Sequence, residues 1–529
     1  MTYENERYEA DGAGENEGVR RRGFLAGVGL TGTAGLLGAG AGPQAEAASR
    51  AGETAPGQAG AVSRQDGAAS RQGAEPAPLR PEELERGAGH GGRRQEPLLL
   101  LPELLLLPGK DKPVTGQAVV IEDGVFRDIG PAERVTAAHP GLHPVRAEGH
   151  LLMPGFVDAH HHLTQSFGKA QSFGQPSEIF KTVWEPLERA LDEESARLSA
   201  QLAALESLRG GFTTVADAGT RAPVDVAALA EGTRAAGIRC VLGKVVSDGK
   251  GGEEHLSRWD GAHLVHPSLA VPVPEDASDA VLKKTADLCE EAGAVFQIHV
   301  NEHLASVERS LKRVGRRPVE QLHHVGALGP RTLGAHATML TPGEMRMLAD
   351  SGAAVSYNPV ASAWKGNAVA QAGVLREMGV RLGTGTDGTR GDGFRLVDAA
   401  ESAQRLSAGL ATGDSVCGGG HMWLEMGTSG GADALGLRGT TGRVAEGAAA
   451  DFLLVDMRVP ELTPSWDPLW DLVRLGNRDQ ITAVFVGGVL RLWEGRPRGW
   501  DDRALLERAG TRAREVVRRA GIHHVPVRR

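Results

Sequence analysis

The chain has 529 residues, enough for one large catalytic domain plus a smaller one. Its formal net charge of −9 argues against a nucleic-acid binder, which needs a basic face. The 3 cysteines, Cys240, Cys289 and Cys417, are odd in number and far apart, so they point away from a disulfide framework or a cysteine zinc site, and any metal must be held by histidine and carboxylates.

In chain order, Arg21-Arg22-Gly23-Phe24-Leu25 opens an uncharged Gly/Ala/Leu-rich run from Ala26 to Gly42, followed by the small-x-small triplet Ala45-Glu46-Ala47. Basic residues, an apolar stretch and small residues make the layout of an export signal, and the paired arginines resemble the twin-arginine type. Residues 1–47 are therefore expected to be a signal segment that sends the protein to the periplasm or beyond. A cytoplasmic enzyme with a Gly/Ala-rich leader is the alternative. The run is too short and too rich in glycine for a stable membrane span. Residues 48–95 hold almost no large apolar side chains, cannot offset their ordering entropy, and are expected to form a disordered linker.

Leu98–Leu107 starts the folded part as strand sequence broken by Pro102, Glu103 and Pro108. Residues 117–124 read as a strand ending in an Asp-Gly turn, with Val125–Ile129 as its partner. Similar β-rich runs return at Asp451–Asp456 and at residues 481–488. Segments 96–150 and 441–500 are thus expected to join into one small β-sandwich. Between them, over 151–440, short apolar runs alternate with helices: strands at Leu151–Val157, Thr213–Ala216, Ile238–Val246, Leu264–Val273, Ala294–His299, Thr332–His336, Ala353–Tyr357 and Val380–Thr384, with helices such as Ser195–Arg209, Asp279–Ala292 and Pro342–Asp350 in the gaps. Eight strand/helix units predict an α/β fold, a closed (β/α)8 TIM barrel; a doubly wound open sheet is the alternative. Residues 501–529 read as a basic helical tail with a solvated face.

The polar residues of interest follow those strands, where barrel enzymes build their sites. The first strand delivers Asp158-Ala159-His160-His161-His162. Alternate side chains of an extended segment share a face, so His160 and His162 can reach one ion while His161 points away. The fifth strand ends in His299, a good zinc or iron ligand when neutral, with the carboxylate of Glu302 three residues on. The sixth ends in His336 and the eighth in Gly385-Thr386-Asp387-Gly388. Any one of these is weak alone; their ordered recurrence at four strand ends carries the reading. Trp364, after the seventh strand, is placed to stack on a flat heterocycle or to pack on the barrel.

This pattern resembles the amidohydrolase superfamily, in its branch of cytosine deaminases, guanine deaminases and triazine chlorohydrolases. The residues that carry the resemblance are Pro154–Leu163, His299-x-x-Glu302, His336, Ser356–Pro359 and Gly385–Gly388. It implies that His160, His162, His299 and Asp387 ligate one divalent metal ion per chain, zinc or alternatively iron. It implies that Asp387 takes the proton of the attacking water, that Glu302 passes protons to the substrate nitrogen and the leaving group, and that His336 hydrogen-bonds the hydroxide or the substrate. Gln165 matches a family glutamine that touches substrate. The resemblance also suggests a homo-oligomer.

The chemistry agrees on independent grounds: a divalent cation brings the pKa of a bound water to about 7, and a metal-bound hydroxide then attacks an electron-poor carbon. The implied reaction is hydrolytic deamination of a small nitrogen heterocycle of purine, pyrimidine or triazine type. The alternatives are cleavage of another C–N or a C–Cl bond by the same site, or a non-catalytic exported binding protein. Two-metal relatives bridge their ions with a lysine at the end of strand four. The strand-four sequence here has none, and Lys244 falls one strand early, so one metal is expected.

Overall fold

The computed structural model describes residues 79–85, 96–172, 179–259, 263–414 and 419–523. The expected signal segment, most of the expected linker, and Cys417 lie outside the described residues.

In chain order the strands are β1 (Leu98–Leu105), β2 (Gln117–Glu122), β3 (Val125–Pro131), β4 (Pro144–Pro154), β5 (Phe156–His161), β6 (Phe212–Asp217), β7 (Arg239–Val245), β8 (Val265–Val271), β9 (Val295–Val300), β10 (Thr332–His336), β11 (Ala354–Tyr357), β12 (Arg381–Thr384), β13 (Phe452–Asp456), β14 (Ile481–Val486), β15 (Val489–Trp493) and β16 (Arg496–Pro497). They form two sheets. One, in the order β16-β15-β14-β13-β4-β1-β2-β3, joins the N- and C-terminal segments. The other runs β5 to β12 in sequence with every neighbour parallel, the (β/α)8 barrel. Its closing seam is the Asp387 N–H to His160 carbonyl bond of 2.8 Å. Asp158 reinforces it by accepting from the Thr386 N–H at 2.9 Å and the Thr386 hydroxyl at 2.6 Å.

The small sheet obeys the period of two. Leu453, Val455, Val484, Val486, Leu151 and Met153 join the barrel core, while Phe452, Leu454, Ala483, Phe485 and Leu152 face the opposite core with Phe126 and Val119. Its three two-residue hairpin turns need left-handed residues, supplied by Asp123 and Gly124 (φ 50° and 80°), by Gly487 and Gly488 (φ 58° and 72°) and by Glu494 and Gly495 (φ 46° and 71°). A buried ion pair, Arg239 Nε to Asp451 Oδ2 at 2.8 Å, ties this sheet to the barrel wall.

Three expectations are corrected. Leu151–Pro154 do not start the barrel; they end β4 and pair with β13. Gly155 makes the switch between sheets, where a Cβ would stand 2.2 Å from Thr213 Cγ2, and the first barrel strand begins at Phe156. Within the stretch read as linker, Pro81–Glu85 form a turn of helix, because Leu84 is buried in the small sheet's core and Glu85 pairs with Arg498. The C-terminal helix (Asp502–Arg519) is not merely solvated. It buries Leu505, Ala509 and Val516, and Arg512 reaches Glu194 at 3.1 Å. The barrel's lower interior is apolar, filled by Val157, Ala216, Val241, Val295, Leu333 and Ala354 with the plug Ala432–Leu437. Polar groups are left to the upper end.

Candidate metal centre

The histidines expected at the ends of β5 and β9 converge. His160 Nε2 and His162 Nε2 lie 3.3 and 3.2 Å from Asp387 Oδ1, and His299 Nε2 lies 3.4 Å from His162 Nε2. One ligand atom from each of these four residues falls within 4.8 Å of the others. His161 turns the other way, with Nδ1 at 3.0 Å from Asp158 Oδ2 and 2.9 Å from Thr386 Oγ1. At the first strand the alternation read from the sequence therefore holds in space.

The donors are prepared for a cation. His299 Nδ1–H donates to the Pro272 carbonyl at 2.8 Å, which leaves the Nε2 lone pair turned to the centre. His160 Nε2 is buried without a hydrogen-bond partner among the described residues. Burial lowers the pKa of His162, and burial together with the neighbouring imidazoles holds His299 well below the ordinary value, so both rings are neutral ligands at neutral pH. Burial works against the Asp387 carboxylate, but Lys365 and the histidines outweigh it and hold it ionised. Three imidazoles and one carboxylate, with an orphaned nitrogen among them, fit a divalent ion such as zinc.

A second group adjoins this one: Glu302, His336 and Asp387. Burial pushes His336 down to about 4, against the pull of both carboxylates, so its ring is neutral. Asn358 Nδ2 donates to His336 Nδ1 at 3.2 Å, and the Ser356 hydroxyl donates to Asn358 Oδ1 at 2.8 Å. The proton of His336 therefore sits on Nε2, 3.9 Å from Glu302 Oε2. Gly385 makes room for this arrangement, since a Cβ there would stand 2.3 Å from Asn358 Oδ1 and 2.5 Å from Ser356 Oγ. Burial raises the Glu302 carboxyl, and His336 and the Lys365 ammonium pull it well below the usual range.

Lys365 was hidden from sequence reasoning. Its Nζ lies 2.7 Å from Glu302 Oε1 and 2.6 Å from Asp387 Oδ2. It ends the helix Pro359–Lys365, which Gly366 stops at φ 69°. The signal available was its place beside Trp364 in the loop region after the seventh strand.

Backbone strain gathers here. Asn301, His336, Ala337 and Asp387 have φ of 51°, 74°, 52° and 55°. Such residues persist only where their surroundings hold them. Asn301 is held by Glu344, fully buried, which accepts from Asn301 Nδ2 at 2.7 Å, Arg317 Nε at 2.8 Å and the Thr341 N–H at 2.8 Å. The Thr338 hydroxyl bonds the carbonyls of Asn301 and Glu302 at 2.9 and 2.5 Å, so the loops after β9 and β10 are locked together.

Of the expected substrate contacts, Gln165 is buried, with Nε2 at 3.4 Å from the buried Glu188, and Trp364 is 42% exposed. His303 is a helix cap: its Nδ1 accepts from the Ser306 N–H. His266 stands 3.3 Å from Arg239 near the start of β8, away from the upper end, and so does not line the site. Lys244 lies on β7, the third barrel strand, and β8, the fourth, carries no lysine. Among the described residues no helix is long and apolar enough to cross a membrane.

Residues 151–491 match the model of the Amidohydrolase family. A 5-methylthioadenosine/S-adenosylhomocysteine deaminase of Syntrophobacter fumaroxidans is 28% identical over 80% of this chain and 99% of its own length. A second protein of that description, from Archaeoglobus fulgidus, is 32% identical over 70% of this chain and 89% of its own. Among solved structures, an adenosine deaminase from Xanthomonas campestris with bound zinc superposes with a TM-score of 0.72 at 24% identity, covering 79% of this chain and 98% of that one.

Proposed function

The chain belongs to the amidohydrolase family, and on that premise we propose that it deaminates a purine-type heterocycle hydrolytically with one divalent ion, zinc. His160, His162 and His299 would hold the ion through Nε2 and Asp387 through Oδ1, the four atoms that converge. When bound, such an ion lowers the pKa of a water to about 7 and polarises the reacting carbon's substituents.

The chain's own groups then divide the proton work. Asp387, anchored at Oδ2 by Lys365, accepts the proton that the attacking water gives up. Glu302 receives protons at Oε2 and passes them to the ring nitrogen and to the departing amine. The Nε2–H of His336 points at the same space and supplies a hydrogen bond to the oxygen that forms the new carbonyl. Water adds to the amino-bearing carbon, the C–N bond breaks, and ammonia leaves. The observation that carries the reading is the adjacency of both groups: a four-donor cation site beside the carboxylate–imidazole pair Glu302 and His336.

The test is ammonia release from zinc-loaded protein offered 5-methylthioadenosine, S-adenosylhomocysteine, adenosine, guanine and cytosine. Turnover of the adenine-bearing compounds, abolished in Glu302→Gln, is the expected result. Ammonia from none of them, with the metal in place, contradicts it.

A further inference from the structure

Lys365 sits between the two halves of the centre. Its ammonium bonds Glu302 Oε1 at 2.7 Å and Asp387 Oδ2 at 2.6 Å, and the side chains of Lys365, Glu302 and Asp387 are only 12%, 15% and 5% exposed. Asp387 is thereby divided: Oδ1 faces His160 and His162, Oδ2 faces the lysine. Asn367 Nδ2 adds a longer contact of 3.4 Å to Glu302 Oε1. Two buried anions in contact range are unstable without a cation.

We propose that Lys365 is a resident counter-ion: a positioning residue that holds Glu302 and Asp387 in place before the divalent ion arrives and then competes with that ion for their charge. The proposal rests on reading the centre as a metal site. It separates Lys365 from a plain structural brace by sign. Removing a brace loosens the ligand set and weakens metal binding. Removing a competing charge leaves the carboxylates more negative, destabilises the metal-free protein, and tightens metal binding.

The experiment compares the full chain with Lys365→Met and Lys365→Gln, each stripped of metal. Two readouts are taken, neither requiring substrate: the thermal midpoint in chelator, and the zinc dissociation constant by competition with a chromophoric chelator. In both variants the metal-free midpoint should fall by several degrees, and zinc should bind about tenfold more tightly or better, since an ammonium–dication repulsion is gone. The rise in midpoint on adding zinc should be larger than in wild type. If Lys365→Met does not fold without metal, Lys365→Gln, which keeps a donor but no charge, decides the matter. Zinc binding that is unchanged or weaker in both variants, or an unchanged metal-free midpoint, overturns the proposal while leaving the metal reading intact. A wild type that binds no zinc overturns the metal reading and the proposal with it.

Discussion

Glu344→Ala perturbs the centre from a distance. Glu344 touches none of the metal-site residues, yet its carboxylate accepts from Asn301, Arg317 and Thr341 while fully buried. Removal leaves the Arg317 guanidinium, 21% exposed, without its anion and leaves the Asn301 amide only its longer 3.3 Å contact to the Met339 carbonyl. Breaking a buried pair by deleting one partner costs about 3–5 kcal/mol, and this range already contains the roughly 1 kcal/mol of the lost capping box at Thr341. The catalytic effect follows from Asn301. That residue is held at φ 51° directly before Glu302, and without the tie it relaxes and moves the carboxylate. A displacement near 1 Å costs on the order of 10²-fold in rate. Urea unfolding followed by tryptophan fluorescence should show the stability loss, and steady-state kinetics should show kcat falling roughly 10–100-fold with KM changed much less. Glu344→Gln, which keeps one acceptor oxygen, should fall between the two. A Glu344→Ala protein within about 1 kcal/mol of wild type and with unaltered kcat would refute the positioning argument.

Two further predictions concern the frame. Gly385→Ala places a methyl group against Asn358 Oδ1 and Ser356 Oγ, so it should displace Asn358, free the His336 ring and lower kcat by at least about tenfold; a crystal structure of the variant with Asn358 unmoved would contradict this. His255, buried and bonded to the Leu242 carbonyl, is pushed down to about 4 by burial, as is His266. The unfolded chain takes up their protons near pH 6.5 and the folded chain only near 4, so stability is complete above about 6.5 and is lost as pH falls through that window. From pH 7 to pH 5 His255 alone should remove about 2 kcal/mol, a loss that His255→Gln does not show; parallel slopes for the two proteins would count against the assignment.

The barrel and most of the centre were legible in the sequence because both follow from local rules. His160 and His162 share a face by alternation, and each remaining donor closes an apolar strand run. The first barrel strand was misplaced because Leu151–Val157 reads as one apolar run, and the Pro154-Gly155 break inside it, where the chain passes between sheets, was passed over. Lys365 was not legible: it acts from the end of a helix, and its partners are 63 and 22 residues away. Glu344 was hidden in the same way, since a glutamate in a helical first turn reads as a cap, which it also is. Its bond to Asn301 spans 43 residues and depends on the packing of two barrel loops.

The central claim is a single cation held by His160, His162, His299 and Asp387, and elemental analysis of the purified protein tests it most directly. About one zinc or iron per chain is predicted for wild type, with the metal lost in His299→Ala while the variant remains folded. No metal in wild type, or two ions per chain, would contradict the account.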